Sequence, residues 1–337
     1  MSPIKTSLRW VVPLSLAAIV LVLGIASAQA PSSGRLLVLL RDASALAIVD
    51  PASGDVLGRV PTGRDPHEVT ASADGRLAFV ASMVDGISVI DIAAGEEIRR
   101  VDPGPGSQTH DVVVAGGKLY FTIEGYKSIG RYDPSADRID WTLGIGQDGT
   151  HMFVLDEDTD TMFTSNTGSN TITMVEGVMA GPAQATLTDI PVPGETPEGI
   201  DLSPDGRELW TATRSDGGVS IIDVESRRVV ESLDLGMLDA NRLKFTPDGR
   251  VLIIDGEAAS LVVLDAASRE VIGRVTLGSE DTGDGAVLVG PDGAHAYLGL
   301  RAADRVAVVD LATLEIVLEM PMREGDGPGC LYWIGAA

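Results

Sequence analysis

Three of the four histidines in this chain fall at one repeated position. His67 in "DPHEVTASADG", His110 in "QTHDVVVAGG" and His151 in "GTHMFVLDEDTD" each open a largely apolar run that stops at a polar turn. Neutral imidazole is the commonest protein ligand for metal ions. Three imidazoles aimed at one point could hold a divalent ion at about 2.1 Å. Glu198, in "TPEGIDLSPDG", takes the equivalent place in a fourth run, and Glu124 follows the strand paired with the His110 run. Either could add a ligand or act as a general base. The competing role is structural, because an imidazole at a strand start can hydrogen-bond a neighbouring backbone and tie two elements together. His295 stands beside a "PDG" turn and is assigned no function.

A second set of polar residues recurs beside the first. Arg41, Ser82, Glu124, Thr167, Arg214, Gly256 and Arg301 each lie nine residues before a recurrent acid. Arg41, Arg214 and Arg301 suit a small carboxylate or phosphate, which a guanidinium can grip with two parallel hydrogen bonds. Asn241 and Glu124 complete this candidate ligand-binding set. Asp42, Asp304 and Asp216 stand close enough in sequence to neutralise the arginines instead. No G-x-S-x-G, C-x-x-C-H or H-E-x-x-H motif is present, so no complete catalytic signature accompanies these residues. "DPGPGSQ" (102–108) precedes no helix pattern and reads as a connector. "DEDTD" (156–160) lacks the rest of a calcium loop and reads as a solvated turn.

The elements that must position these side chains emerge as a repeat. Seven segments run apolar strand, polar turn, second strand, as in "LLVLLRDASALAIVD" (36–50) and "LWTATRSDGGVSIID" (209–223). Their terminal acids fall at 50, 91, 133, 176, 223, 265 and 310, and the widest gap holds the insertion "GVMAGPAQATLTD" (177–189). A period of about 40–45 residues with four short strands is the signature of a propeller blade. The first segment has no inner strand before it, and the last inner-type strand, "PGCLYWIGA" (328–336), has no outer strands after it. Joined, they complete one blade, which pairs the two termini and locks the ring. The fold expected is all-β: a seven-bladed β-propeller of four-stranded antiparallel blades over 35–337. In that arrangement both polar sets lie on one face, around the mouth of the central channel, and the Asp-Gly turns lie on the other.

"MFTSNTGSNTITMVE", "PEGIDLSPDGRELWTAT" and "PHEVTASADGRLAFVAS" resemble the YVTN repeat. The chain is similar to YncE-like exported propellers, within the broader group of lactonase-like and cytochrome-cd1-like propellers. The likeness extends over nearly all of 35–337, although 119–133 and 251–265 lack the Thr-Asn strand end. It implies the propeller fold and export. It leaves two functions open: a ligand-binding or scaffold protein, or a metal-dependent hydrolase or lyase of lactonase type using the three histidines. YncE-like relatives also suggest single-stranded DNA binding.

Charge argues against that last partner. Residues 1–30 hold Lys5 and Arg9, then an apolar stretch ending Ala28-Gln29-Ala30, the pattern of a cleaved signal peptide. Removing it takes the net charge from −24 to −26, since it carries two cations and no anion. Such a surface repels nucleic acid and anionic lipid. The mature protein is therefore expected to be periplasmic or secreted, monomeric and without a membrane span, with a small anionic molecule or another periplasmic protein as partner. Its one cysteine, Cys330, cannot close an intrachain disulfide and reads as a packing residue.

Overall fold

The computed structural model describes residues 34–278 and 285–335. The expected signal peptide, 1–30, lies outside the described residues. Those described form seven antiparallel sheets of four strands each, the blades of a propeller. Blade one is the shared blade. Its innermost strand, Pro328–Ile334, comes from the end of the chain and pairs antiparallel with Arg35–Leu40, setting Leu36 opposite Trp333 and Val38 opposite Leu331. Blades two to seven begin with the inner strands Pro66–Ala71, Thr109–Ala115, Thr150–Asp156, Pro197–Leu202, Ala240–Phe245 and Ala286–Val289.

Burial follows position within a blade. Second strands have neighbouring blades on both faces, so Leu36, Leu37, Val38, Leu39 and Leu40 are all fully buried. Outermost strands have solvent on one side and alternate, as Glu315–Pro321 does. Apolar side chains gather into seven clusters, and each draws on two adjacent blades. Leu36, Val38, Tyr297 and Val308, for example, join blade one to blade seven. The core is thus divided among blade interfaces, and closing the ring is what completes its last two wedges.

The recurrent acid has a local cause. An Asp side chain can accept hydrogen bonds from main-chain N–H groups two or three residues on, which shapes a turn. Asp50 accepts from Ala52, Asp91 from Ala94, Asp223 from Ser226, Asp265 from Ser268 and Asp310 from Thr313, at 2.7–2.9 Å. Each bond sets the hairpin from third to fourth strand. Glu176 is the exception that the insertion predicts. Its carboxylate receives Arg227 Nη2 of blade five at 2.9 Å, and its turn is the enlarged loop after Gly177.

Candidate functional site

The inner strands start at the channel mouth from a strained turn. Asp65, Gln108, Gly149, Thr196 and Gly327 all have φ between 51° and 65°. Each stands two residues before His67, His110, His151, Glu198 or Gly329. A β-branched residue such as Thr196 is rarely found in this left-handed region, so the conformation is imposed by its bonds. The freed carbonyls are anchored. Asp65 O accepts Met83 N at 3.0 Å, Gln108 O accepts Glu124 N at 3.1 Å, and Thr196 O accepts Arg214 N at 2.9 Å. These bonds bring the second-strand ends beside the inner-strand starts, as the repeat spacing required. In blade two the equivalent residue is Met83, one beyond Ser82.

The three histidines meet. The His110 ring lies 3.6 Å from that of His151 and 4.6 Å from that of His67, centroid to centroid. Their environments differ. Arg41 Nη2 donates to His67 Nε2 at 2.6 Å, since arginine carries only donors. His67 Nδ1 must then carry the proton, and it donates to Asp65 O at 3.0 Å. Burial and the Arg41 charge hold this imidazole below its ordinary value. Both of its nitrogens are hydrogen-bonded, and the ligand atoms that lie within 4.8 Å of one another are those of His110, His151 and Glu124, without His67. His67 belongs to the Arg41 pair.

His110 is 2% exposed, and its Nδ1 is buried without a hydrogen-bond partner. Burial, then His151 and His67, pull its pKa well below the ordinary value and keep it neutral. His151 has the opposite state. Burial works against its charge, but Glu124 and Glu198 outweigh that and raise it to about 9. Its Nδ1 donates to Glu124 Oε1 at 2.5 Å, and Nε2 lies 3.8 Å from Glu198 Oε1.

Glu198 is 3% exposed. Burial favours its neutral form, yet His151, Arg242 and Arg214 win and hold it at about 2. Arg242 Nη1 donates to Glu198 Oε1, and Arg242 Nη2 reaches Glu68 Oε1 of blade two at 3.4 Å. Arg214 Nη1 binds Glu198 Oε2 at 3.2 Å and Arg214 Nε binds Asp239 Oδ1 at 3.0 Å. Asn241, fully buried, donates to Asp239 Oδ2 at 3.3 Å. On the far rim Arg301 closes on Asp42 Oδ1 at 2.5 Å. Asp304, the other acid considered for Arg301, accepts the main-chain N–H groups of Gly325 and Gly327. Asp216 is likewise replaced, by Glu198 and Asp239, as the partner of Arg214.

Glu68, Arg242, Asp239 and Asp65 were not singled out by the sequence pattern. Asp65 and Asp239 lie in the turns just before inner strands; for Glu68 and Arg242 the reason is a β-bulge, present in the inner strands of blades two to six at Pro66/Glu68, Thr109/Val112, Thr150/Phe153, Pro197/Ile200 and Ala240/Arg242. A bulge breaks strict alternation and re-aims a side chain. So Glu68 follows His67 into the channel, and Arg242 follows Asn241. Below them lies a cavity of about 260 Å³ whose lining includes Glu68, Asp111, Arg242, Lys244 and Cys330. Asp111 accepts Phe153 N at 2.8 Å, tying blade three to blade four, while burial and Glu68 push its pKa up to about 7. Burial and Glu68 also push the Cys330 thiol up, so it is protonated and unreactive. His295 pairs with Asp292 at 2.7 Å, away from the histidine cluster.

Among the described residues, ring nitrogens of His110 and His151 and a carboxylate oxygen of Glu124 lie within 4.8 Å of one another. The arrangement can therefore present two imidazoles and a carboxylate to one small cation, or carry a proton between Glu124, His151 and Glu198.

Comparison with known proteins agrees with the fold. A family model described as outer membrane protein assembly factor BamB matches residues 42–175, under half of the chain. The uncharacterized protein YncE of Salmonella typhi is 26% identical over 171 residues, covering 49% of this chain and 46% of that protein. The chain thus spans about half the length of the curated relatives it matches. A Bacteroides fragilis protein described as a candidate 6-phosphogluconolactonase superposes with TM-score 0.70 at 14% identity, over 90% of this chain and all of that one. Virginiamycin B lyase of Staphylococcus aureus superposes with TM-score 0.66 at 13% identity, over 80% of this chain and 91% of that one. The resemblance to YncE-like and lactonase-like propellers stands, and at these identities the solved structures speak to the fold alone.

Proposed function

We propose that this protein is an exported ligand-binding propeller that takes a small anionic molecule at its channel mouth. The observation that carries the reading is the set of solvent-reached ion pairs on the rim. The side chains of Arg301 and Asp42 are 31% and 43% exposed, and those of Arg214 and Asp239 are 35% and 22% exposed. Pairs of this kind contribute roughly 0–1 kcal/mol each. A carboxylate or phosphate on a ligand can therefore replace an internal acid at little cost. Arg41, buried with a side chain 6% exposed and bonded to neutral His67, adds a third guanidinium behind that rim. The strained turns support the reading too, since strain kept at one end of a rigid ring is a common accompaniment of a binding site.

A thermal-shift screen of dicarboxylates, aldonate lactones and inorganic phosphate tests it. A stabilising shift that disappears in an Arg41→Ala/Arg301→Ala double variant supports the reading. Shifts unchanged in that variant, or none with any anion, overturn it. Export is tested separately by N-terminal sequencing of secreted protein, with the mature chain starting after Ala30.

The second reading is a metal-dependent hydrolase or lyase. The His110–His151–Glu124 cluster favours it, and two propellers of like fold are described as a lactonase candidate and a lyase. Hydrolysis of an aldonate lactone that depends on His110 would decide for it.

A further inference from the structure

We propose that His110, His151 and Glu124 form a binding site for one first-row divalent transition-metal ion. Three observations carry this. The candidate ligand atoms already lie within 4.8 Å of one another. Metal–ligand bonds of about 2.0–2.2 Å need the set to close by roughly an ångström, within the reach of side-chain adjustment. The buried, partnerless Nδ1 of His110 is the second observation. A buried polar atom in a native protein normally has a partner, and an ion bound beside this ring is one way to account for the exception. The third is the way the ligands are mounted. His110 and His151 stand on adjacent inner strands, and Glu124 opens the short 3-10 turn Glu124–Tyr126 that follows the second strand of blade three. The Glu124 N–H is fixed to Gln108 O at 3.1 Å, two residues before His110, and Thr122 Oγ1 of the same blade donates to His151 O at 2.8 Å, so all three ligands rest on one hydrogen-bonded frame.

The neighbours define what the site is not. His67 is committed at both nitrogens, to Arg41 and to Asp65. Glu198 is committed to Arg242 and Arg214 and approaches His151 only to 3.8 Å. It would stand behind the ion's ligands as an orienting group. Two imidazoles and one carboxylate leave coordination positions open, the pattern of catalytic rather than structural centres. The imidazole donors select Zn²⁺, Fe²⁺, Co²⁺ or Ni²⁺ over Ca²⁺ and Mg²⁺, which prefer all-oxygen sets. The ion would take the place of the proton shared by His151 Nδ1 and Glu124 Oε1, which would leave as H⁺.

This deepens the reading of the mouth as the working end, but it is measured without any organic ligand. Full-length mature protein is stripped with chelator and titrated with Zn²⁺ by calorimetry and with Co²⁺ by visible absorption. One ion per chain is expected, with a Co²⁺ ligand-field band. Glu124→Gln and His110→Gln should each weaken uptake by roughly 100-fold or more, while His295→Gln, on the opposite face, leaves it unchanged. Glu124 is part-exposed, so its variant stays informative if a buried histidine variant fails to fold. Absence of stoichiometric uptake, or uptake that survives in both Glu124→Gln and His110→Gln, overturns the site. If uptake is absent, an anion-induced thermal shift in metal-free protein keeps the ligand reading while the metal site falls, and metal uptake without any anion shift does the reverse.

Discussion

Arg242→Met is the most informative single substitution in the channel. Arg242 is 8% exposed and crosses the axis from blade six to Glu198 on blade five and Glu68 on blade two. Those carboxylates are 3% and 7% exposed. Methionine fills much of the space but leaves two buried acids facing each other without this guanidinium. Removing one partner from a buried ionic group costs about 3–5 kcal/mol, and here the loss falls chiefly on Glu68, since Glu198 keeps Arg214 and His151. At roughly 2 °C per kcal/mol for a chain of this size, Tm should fall by about 6–10 °C at pH 7. The loss has a diagnostic pH dependence. Without Arg242 the pKa of Glu198 rises, with His151 and Arg214 still holding it down, so acidification from pH 7 to pH 5 should narrow the gap to wild type. Glu198→Gln added to Arg242→Met should recover part of the loss at pH 7 for the same reason. Differential scanning calorimetry of chelator-treated protein at both pH values reads all of this. A change below about 1 kcal/mol at pH 7, with no narrowing at pH 5, would mean that the channel solvates these charges like a surface pair. Arg242 would then not be the buried clamp between Glu198 and Glu68.

Truncation before Pro328 removes the strand paired with Arg35–Leu40, and the ring should lose stability as one unit; limited proteolysis yielding a stable fragment of six blades would contradict that. Gly299→Ala places a Cβ 2.5 Å from Gly329 O and 3.0 Å from Pro328 O, so the seam between blades seven and one must shift. A loss of about 1–3 kcal/mol in urea unfolding is expected, and a neutral variant would show that the seam is looser than described. The stability of metal-free protein should vary with pH through several opposed groups; Asp111, raised to about 7, lowers it as pH rises from 3.8 toward 7. His151, raised to about 9, stabilises fully below its ordinary value of 6.5 and loses that contribution as pH rises through 9, worth roughly 3 kcal/mol. His67 and His110, held neutral by burial, act in the other direction, destabilising as pH falls below 6.5. Glu198, lowered to about 2, withdraws its share as pH falls from its ordinary 4.5 toward 2. His151→Gln should flatten the alkaline limb, and an alkaline limb of unchanged slope in that variant would remove His151 as its cause.

What could be read from the sequence was whatever repeats with one residue per blade. The acids at 50, 91, 223, 265 and 310 recur because each closes the same turn through its own side chain, so their spacing transmits the blade directly. The orphan strand at 328–334 was legible for the complementary reason, since the first segment lacked the inner strand that every other blade has, and the last strand supplies it. The histidines inherit their placement from the same period, and so they meet. Charge state is a different matter. His67, His110 and His151 hold equivalent positions, yet one is locked by Arg41, one is buried without a partner at Nδ1 and one is held charged between two carboxylates. Those differences come from residues that the period does not mark. Arg242 and Glu68 reach the channel because a bulge breaks alternation in their strands, and Arg242 finds Glu68 174 residues away across the axis. A propeller builds its frame from short-range repetition and its site from contacts across the hole. The site therefore depends on the few departures from the repeat. His110 illustrates the consequence. Its place is set by the repeat, but its chemistry is set by the departures around it. Placing a histidine at the equivalent positions Asn241 or Gly329 would reproduce the location without reproducing the ligand.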